Sequence, residues 1–143
     1  MELLRTFLKK IIGLSKSRVF TDNSKVKEWQ KSEELAAQYL KKKGYKIESR
    51  NYRTPFGEID IIAKKGNMYV FVEVKSGTGR KIRPSERVDE NKHQRICKVA
   101  EYYIHRELKK KRRDDFLYKT RIDVIEIIDG KITHYENIGW DFV

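Results

Sequence analysis

The sequence predicts one α/β domain preceded by a short helical extension. A chain of 143 residues falls within the usual span of a single domain. Two turn dipeptides, Gly66-Asn67 and Asp129-Gly130, each separate runs rich in β-branched and aromatic residues, the mark of a β-hairpin. Two longer stretches carry apolar residues at helical spacing, one before the first hairpin and one between the two.

Residues 1–24 come first. Leu3, Leu4, Phe7, Leu8, Ile11 and Ile12 recur at helical spacing among Arg5, Lys9, Lys10, Lys16 and Arg18. This basic amphipathic stretch is too short and too charged to span a bilayer, and it lacks the small-residue cleavage site of a signal peptide. Its stripe suits four partners: its own domain, a second copy in a homodimer, another protein, or an anionic membrane surface. Asp22, Asn23 and Ser24 read as linker and helix cap. The main domain is therefore expected over 25–143.

A helix is expected over 26–43, stopped by Gly44. Val26, Trp29, Ala36, Ala37 and Leu40 share one stripe, and Glu33 falls in its middle while Glu34 points away. A carboxylate on a buried stripe needs a partner, either a basic side chain from the sheet or a metal ion. Residues 45–53 read as a strand, and Thr54-Pro55-Phe56-Gly57 as a turn.

The hairpin strands 57–63 and 68–75 follow. With Gly66-Asn67 as the turn, Lys65 pairs with Met68, Asp60 lies opposite Glu73, and Glu58 lies opposite Lys75. Alternation then puts Ile59, Ile61, Ala63, Met68, Val70, Val72 and Val74 on a core face. The other face carries Ile62, Tyr69 and Phe71, then Glu58, Asp60, Glu73 and Lys75 at its far end.

Residues 76–84 form a loop with two glycines and Arg80, Lys81 and Arg83, suited to a phosphate backbone. The nucleotide-binding P-loop pattern is absent. Ser85 is expected to cap a second helix reaching about residue 111, with Ile96, Val99, Ala100 and Tyr103 buried and Val88 and Lys92 near the same side. Lys92 then points toward the acidic end, as a phosphate contact or as a lysine whose stem lies on apolar surface. Strands 119–128 and 131–136 make the second hairpin, and Trp140 and Phe142 are expected to cover the sheet.

The formal net charge is +12, with basic runs at 41–43, 80–83 and 109–113 and with Arg87, Lys92, Arg95 and Lys98 between them. This is the electrostatic footprint of a polyanion binder, so nucleic acid is the expected partner. Charge alone does not separate DNA from RNA. Cys97 is the only cysteine, which excludes an intrachain disulfide and a cysteine-based zinc site. His93, His105 and His134 have no ligand-like spacing. A reducing, cytoplasmic setting fits.

Cross-strand Cβ atoms lie about 4.5–5.5 Å apart, so Asp60 and Glu73 can share one hard cation. Magnesium suits such a site, since it takes one or two carboxylates plus water and phosphate. Lys75 projects from the same face, able to hold a water or to neutralise charge growing on a phosphate. Acid, acid and lysine around a metal is a layout for phosphodiester hydrolysis. The spacing by itself also describes a surface salt-bridge cluster.

Ser32-Glu33, Ala36-Ala37, Leu40, Gly44-Tyr45, Asn51-Tyr52-Arg53, Phe56-Gly57-Glu58-Ile59-Asp60 and Phe71-Val72-Glu73-Val74-Lys75 resemble the YraN-like family of small bacterial proteins. Arg121-Ile122-Asp123-Val124 and His134-Tyr135-Glu136-Asn137 also fit its pattern, so the resemblance covers about 27–139. The family is similar to the PD-(D/E)XK nucleases, closest to archaeal Holliday-junction resolvases. That resemblance implies an αβββαβ core with a central mixed sheet flanked by helices. It implies Glu33, Asp60, Glu73 and Lys75 as the active site, the residues the face argument selects. A Mg2+ or Mn2+ ion would sit on Asp60, Glu73 and the Val74 carbonyl. Arg53, Arg80, Lys81, Arg83 and Lys92 are the expected nucleic-acid contacts, with DNA preferred over RNA. The chain departs from the family at Ser32, where glycine is usual, and at His93, where glutamine often follows the lysine. A non-catalytic binding module of the same fold, or a scaffold docked through residues 1–24, is the alternative.

Overall fold

The computed structural model describes residues 23–77, 90–108 and 119–138. The extension over 1–22, the loop with Arg80, Lys81 and Arg83, the Ser85 cap, Arg87, Val88, the 109–113 run, Trp140 and Phe142 lie outside those residues. The chain divides into two compact units, Met1–Lys31 and Ser32–Val143, and every described strand belongs to the second.

Helix α1, Asn23–Lys42, begins earlier than its apolar stripe suggests, so Asn23 and Ser24 lie inside it and not in a linker. Its end explains why Gly44 stands where it does. Gly44 has φ +91, the Tyr45 amide donates to the Leu40 carbonyl at 3.0 Å, and the Gly44 amide donates to the Lys41 carbonyl at 3.0 Å. These two bonds satisfy carbonyls that the helix leaves unpaired, and only glycine takes that backbone angle cheaply.

The sheet has five strands: β1 Lys46–Thr54, β2 Gly57–Lys65, β3 Met68–Gly77, β4 Lys119–Ile128 and β5 Lys131–Tyr135, in the spatial order 1-2-3-4-5. Strands β3 and β4 are parallel and the other pairs are antiparallel. A parallel pair needs a crossover, and helix α2, Glu90–Tyr103, lies within it. The expected helix does not continue as α-helix beyond Tyr103; Ile104–Leu108 is a π-helical turn. Positive φ at Asp129 and Gly130 gives the tight β4–β5 turn its twist. The result is a mixed α/β fold with a five-stranded mixed sheet flanked by helices.

Each sheet face has its own core. On one, Ala36, Ala37 and Leu40 of α1 meet Ile61, Ala63, Val70, Val72, Val74, Ile125 and Ile127. On the other, Ile96, Val99, Ala100 and Tyr103 of α2 meet Ile59, Ile62, Tyr69, Phe71 and Ile122. The buried stripe expected of α2 is the one observed. Ile59 is a correction: it packs under α2, not beside Ile61. Strict alternation belongs to a regularly paired strand, and at Ile59 the pairing with β3 has already ended, while Asn51, next to its β1 partner Tyr52, stands at φ +52.

Candidate active site

The hairpin register holds as far as it runs, with Lys65 opposite Met68 and Ile61 opposite Val72. Both strands continue past Ile61 and Val72, but their pairing stops there. Glu58 therefore does not face Lys75. It lies beside Arg53, whose Nε is 3.5 Å from Glu58 Oε2. Where the ladder ends, the Val74 amide donates to Asp60 Oδ2 at 2.7 Å. The carboxylate takes the place of a backbone acceptor, which fixes it at the mouth of the parting strands.

Glu73 and Lys75 alternate onto the α2 side of β3. Lys92, two residues into α2, brings its Nζ to 2.6 Å from Glu73 Oε1, while Lys75 Nζ stands 4.0 Å from the same atom. Glu33 on α1 is 1% exposed, and its Oε1 is buried without a hydrogen-bond partner. Glu33, Asp60, Glu73 and Lys75 thus lie in one neighbourhood with Lys92, although Asp60 and Glu73 are not ladder partners as the hairpin register had implied. Arg53 lies on β1 beside Glu58.

The electrostatics of this cluster are unfavourable to negative charge. Burial holds the Asp60 carboxyl well above the usual range, and the charge of Glu73 pushes it further, against the Val74 hydrogen bond. Burial raises Glu33 to about 7, against the influence of Asn51 and Arg50. Lys75 moves down, through burial and then the neighbouring Lys92. A cation among these carboxylates would relieve the repulsion. Among the described residues, no three acidic, histidine or cysteine side chains are already gathered as a metal cluster.

One second polar cluster escaped the sequence reading. Asp123 is fully buried on β4, yet every contact it makes is favourable. Arg121 grips it with two bonds of 2.8 Å, the Asn137 amide donates at 3.0 Å, and His134 Nε2 lies 2.7 Å away. Arg121 also donates to the Tyr45 hydroxyl at 2.7 Å, and Tyr39 Oη lies 3.3 Å from His134 Nδ1. Burial alone would raise the Asp123 pKa, but His134 and Arg121 outweigh it and hold the group below its ordinary value. The available signal was Arg-x-Asp inside an apolar strand, where alternation puts both residues on one face. Glu126, also buried, lies beside Lys75 in the β3–β4 register.

Fold and site together define a small mixed α/β protein with a half-buried acid–lysine cluster where two central strands part. Residues 32–127 match the model of the uncharacterised protein family UPF0102, and the chain belongs to that family. A UPF0102 protein of Fervidobacterium nodosum is 55% identical over 130 residues, covering 90% of this chain and 94% of the relative. One from Thermotoga petrophila is 46% identical over 112 residues, covering 78% and 95%. One from Thermodesulfovibrio yellowstonii is 51% identical over 106 residues, covering 73% and 88%. Among the described residues no helix is long and apolar enough to cross a membrane.

Proposed function

We propose that this chain is a metal-dependent endonuclease that hydrolyses phosphodiester bonds of nucleic acid, DNA before RNA, on a PD-(D/E)XK frame. The observation that carries the reading is the meeting of Asp60, Glu73 and Lys75 where β2 and β3 separate, with buried Glu33 among the charges acting on Asp60. The order α1-β1-β2-β3-α2-β4 and the parallel β3–β4 pair agree with that frame.

The residues suit a hard divalent cation, Mg2+ or Mn2+. Its donors would be the Asp60 and Glu73 carboxylates and the Val74 carbonyl, all oxygens, and the unpartnered Glu33 Oε1 is a further buried oxygen nearby. Such an ion polarises a phosphoryl oxygen and makes water a better nucleophile. The rest belongs to the chain. The Val74 amide orients Asp60. Lys75, whose ammonium gives up its proton more readily than usual, holds the attacking water. Lys92 leaves Glu73 for a substrate phosphate. Arg53, together with Arg80, Lys81 and Arg83 from outside the described residues, neutralises charge on the nucleic-acid backbone.

A non-catalytic binding module is the second reading. It draws on the grip of Lys92 on Glu73, which already neutralises one carboxylate. One experiment separates the two: linear, single-stranded and branched DNA incubated with pure protein, with Mg2+ or Mn2+ and with chelator. We expect nicking or cutting that chelator abolishes and that folded Glu73→Ala lacks. Equal cutting by that variant overturns the assignment, and binding without any cutting favours the second reading.

A further inference from the structure

The turn between β1 and β2 holds an exposed aromatic ring that the hydrolytic cluster does not use. Phe56 is 50% exposed; Leu35, at 37%, is the other exposed large apolar residue among those described. A turn of this kind needs no phenylalanine, and water gives the ring no reason to stand out. Its backbone is nevertheless held firmly. Thr54 Oγ1 accepts the Phe56 amide at 3.1 Å and donates to the Gly57 carbonyl at 2.9 Å. Gly57, at φ +143, brings the turn against Val99 of α2.

The surroundings of the ring are aromatic and cationic. Tyr102 meets Phe56 edge to face, with centroids 6.3 Å apart. Arg106 donates to the Tyr102 hydroxyl at 2.5 Å, and its guanidinium carbon lies 5.6 Å from the centre of that ring. The patch also stands at the right end of the sheet. β2 starts from this turn and β3 finishes just past Lys75, so Phe56 and the acids share one end, opposite Gly66-Asn67. Phe56 and Asp60 are four residue steps apart along extended chain, about 13 Å. That is roughly four stacked nucleotides of one strand.

We infer that Phe56, backed by Tyr102 and Arg106, is a stacking platform for an unpaired nucleobase a few nucleotides from the bond at Asp60 and Glu73. The inference rests on the nucleic-acid part of the reading above and adds to it the class of substrate. Bases within a duplex keep their faces covered by their neighbours, so the platform serves single strands, gaps and frayed ends. A ring face takes any base, and an arginine beside it attracts the phosphate that follows. A structural role is the rival: Phe56 would merely shield Tyr102.

The test uses the full chain without divalent metal, so that binding alone is read. The probes are a single-stranded oligonucleotide carrying 2-aminopurine and a blunt duplex of the same length. Phe56→Ala is expected to weaken single-strand binding about five- to tenfold, the low end of what one stacked base supplies. It should remove the 2-aminopurine quench and leave duplex affinity within about twofold, the size of effect expected where no base face is offered. Phe56→Trp should restore both signals. Unchanged single-strand binding, or an equal loss on duplex, overturns the platform, as does a loss that Phe56→Trp fails to rescue. The nuclease reading fails separately: a platform that works in a protein that never cuts leaves this inference standing. Cutting of single strands that ignores Phe56→Ala leaves only the nuclease.

Discussion

The two acid clusters, around the buried Asp123 and around the half-buried Asp60, obey opposite rules. Asp123 has a bidentate arginine, a histidine and a backbone amide, and its pKa is pushed down. Asp60 has one backbone amide, and desolvation, then Glu73 and Glu33, push its pKa up more than Val74 and Lys92 bring it down. A buried charge with a complete set of partners fastens elements together. A buried charge held near like charges is a cost to folding, and such costs concentrate where chemistry is done. Burial alone thus does not separate the two clusters; the charges and hydrogen bonds around each carboxylate do.

The sharpest way to break that contrast is to remove one member of each cluster. Asp60→Ala and Lys75→Ala should each lower cleavage by on the order of a thousandfold, several kcal/mol of transition-state stabilisation, with little change in melting temperature. Single-turnover rates beside thermal melts would measure both. A variant that cuts normally would make the Asp60 cluster structural after all.

Asp123→Ala should do the reverse. It leaves Arg121 and His134 buried around a missing charge, a loss of about 3–5 kcal/mol against a total stability of about 5–15 kcal/mol. Denaturant titration reads it directly. A loss under about 1 kcal/mol would show that the cluster carries no more than an exposed ion pair does.

The pH dependence of stability sharpens the contrast further. The folded chain keeps protons on Glu33 and Asp60 at pH values where the unfolded chain has lost them, with Glu33 raised from 4.5 to about 7. That pair therefore subtracts stability as pH rises through this window. Asp123 has the opposite sign: its contribution is present above the unfolded pKa and fades as pH falls through the lower folded value. Glu33→Gln, melted in chelator, should flatten the neutral limb and gain roughly 1–3 kcal/mol at pH 8. A neutral limb as steep in the variant as in the parent would place the proton elsewhere.

Much of this was legible in the chain. Gly66-Asn67 fixed the hairpin register because the turn sets pairing and alternation carries it outward. The stripe of α1 exposed Glu33 as an oddity because a helix has one buried face and the acid lay on it. Legibility failed where the cause was not local. The change of side at Ile59 comes where pairing with β3 has ended and the neighbouring strand carries a left-handed Asn51. The Asp123 cluster draws on Tyr45, which binds Arg121 across 76 positions, and on Tyr39, which reaches His134 across 95. No spacing rule spans such distances. The end of the β2–β3 ladder was likewise invisible, since the hairpin pattern reads on past it.

The irregular backbone of β1 also bears on how copies of this protein meet. β1 and β5 are the outermost strands of the described sheet. An outer strand with a straight run of free amides invites another chain to pair with it, and fibrous aggregates grow that way. β1 refuses the invitation twice, through the register shift between Ile47 and Ser49 and through the left-handed turn of Asn51. Lys46, Arg50 and Arg53 add charge along the same rim. β5 is only five residues long. Among the described strands, neither rim thus offers a second copy a long, regular edge to pair with.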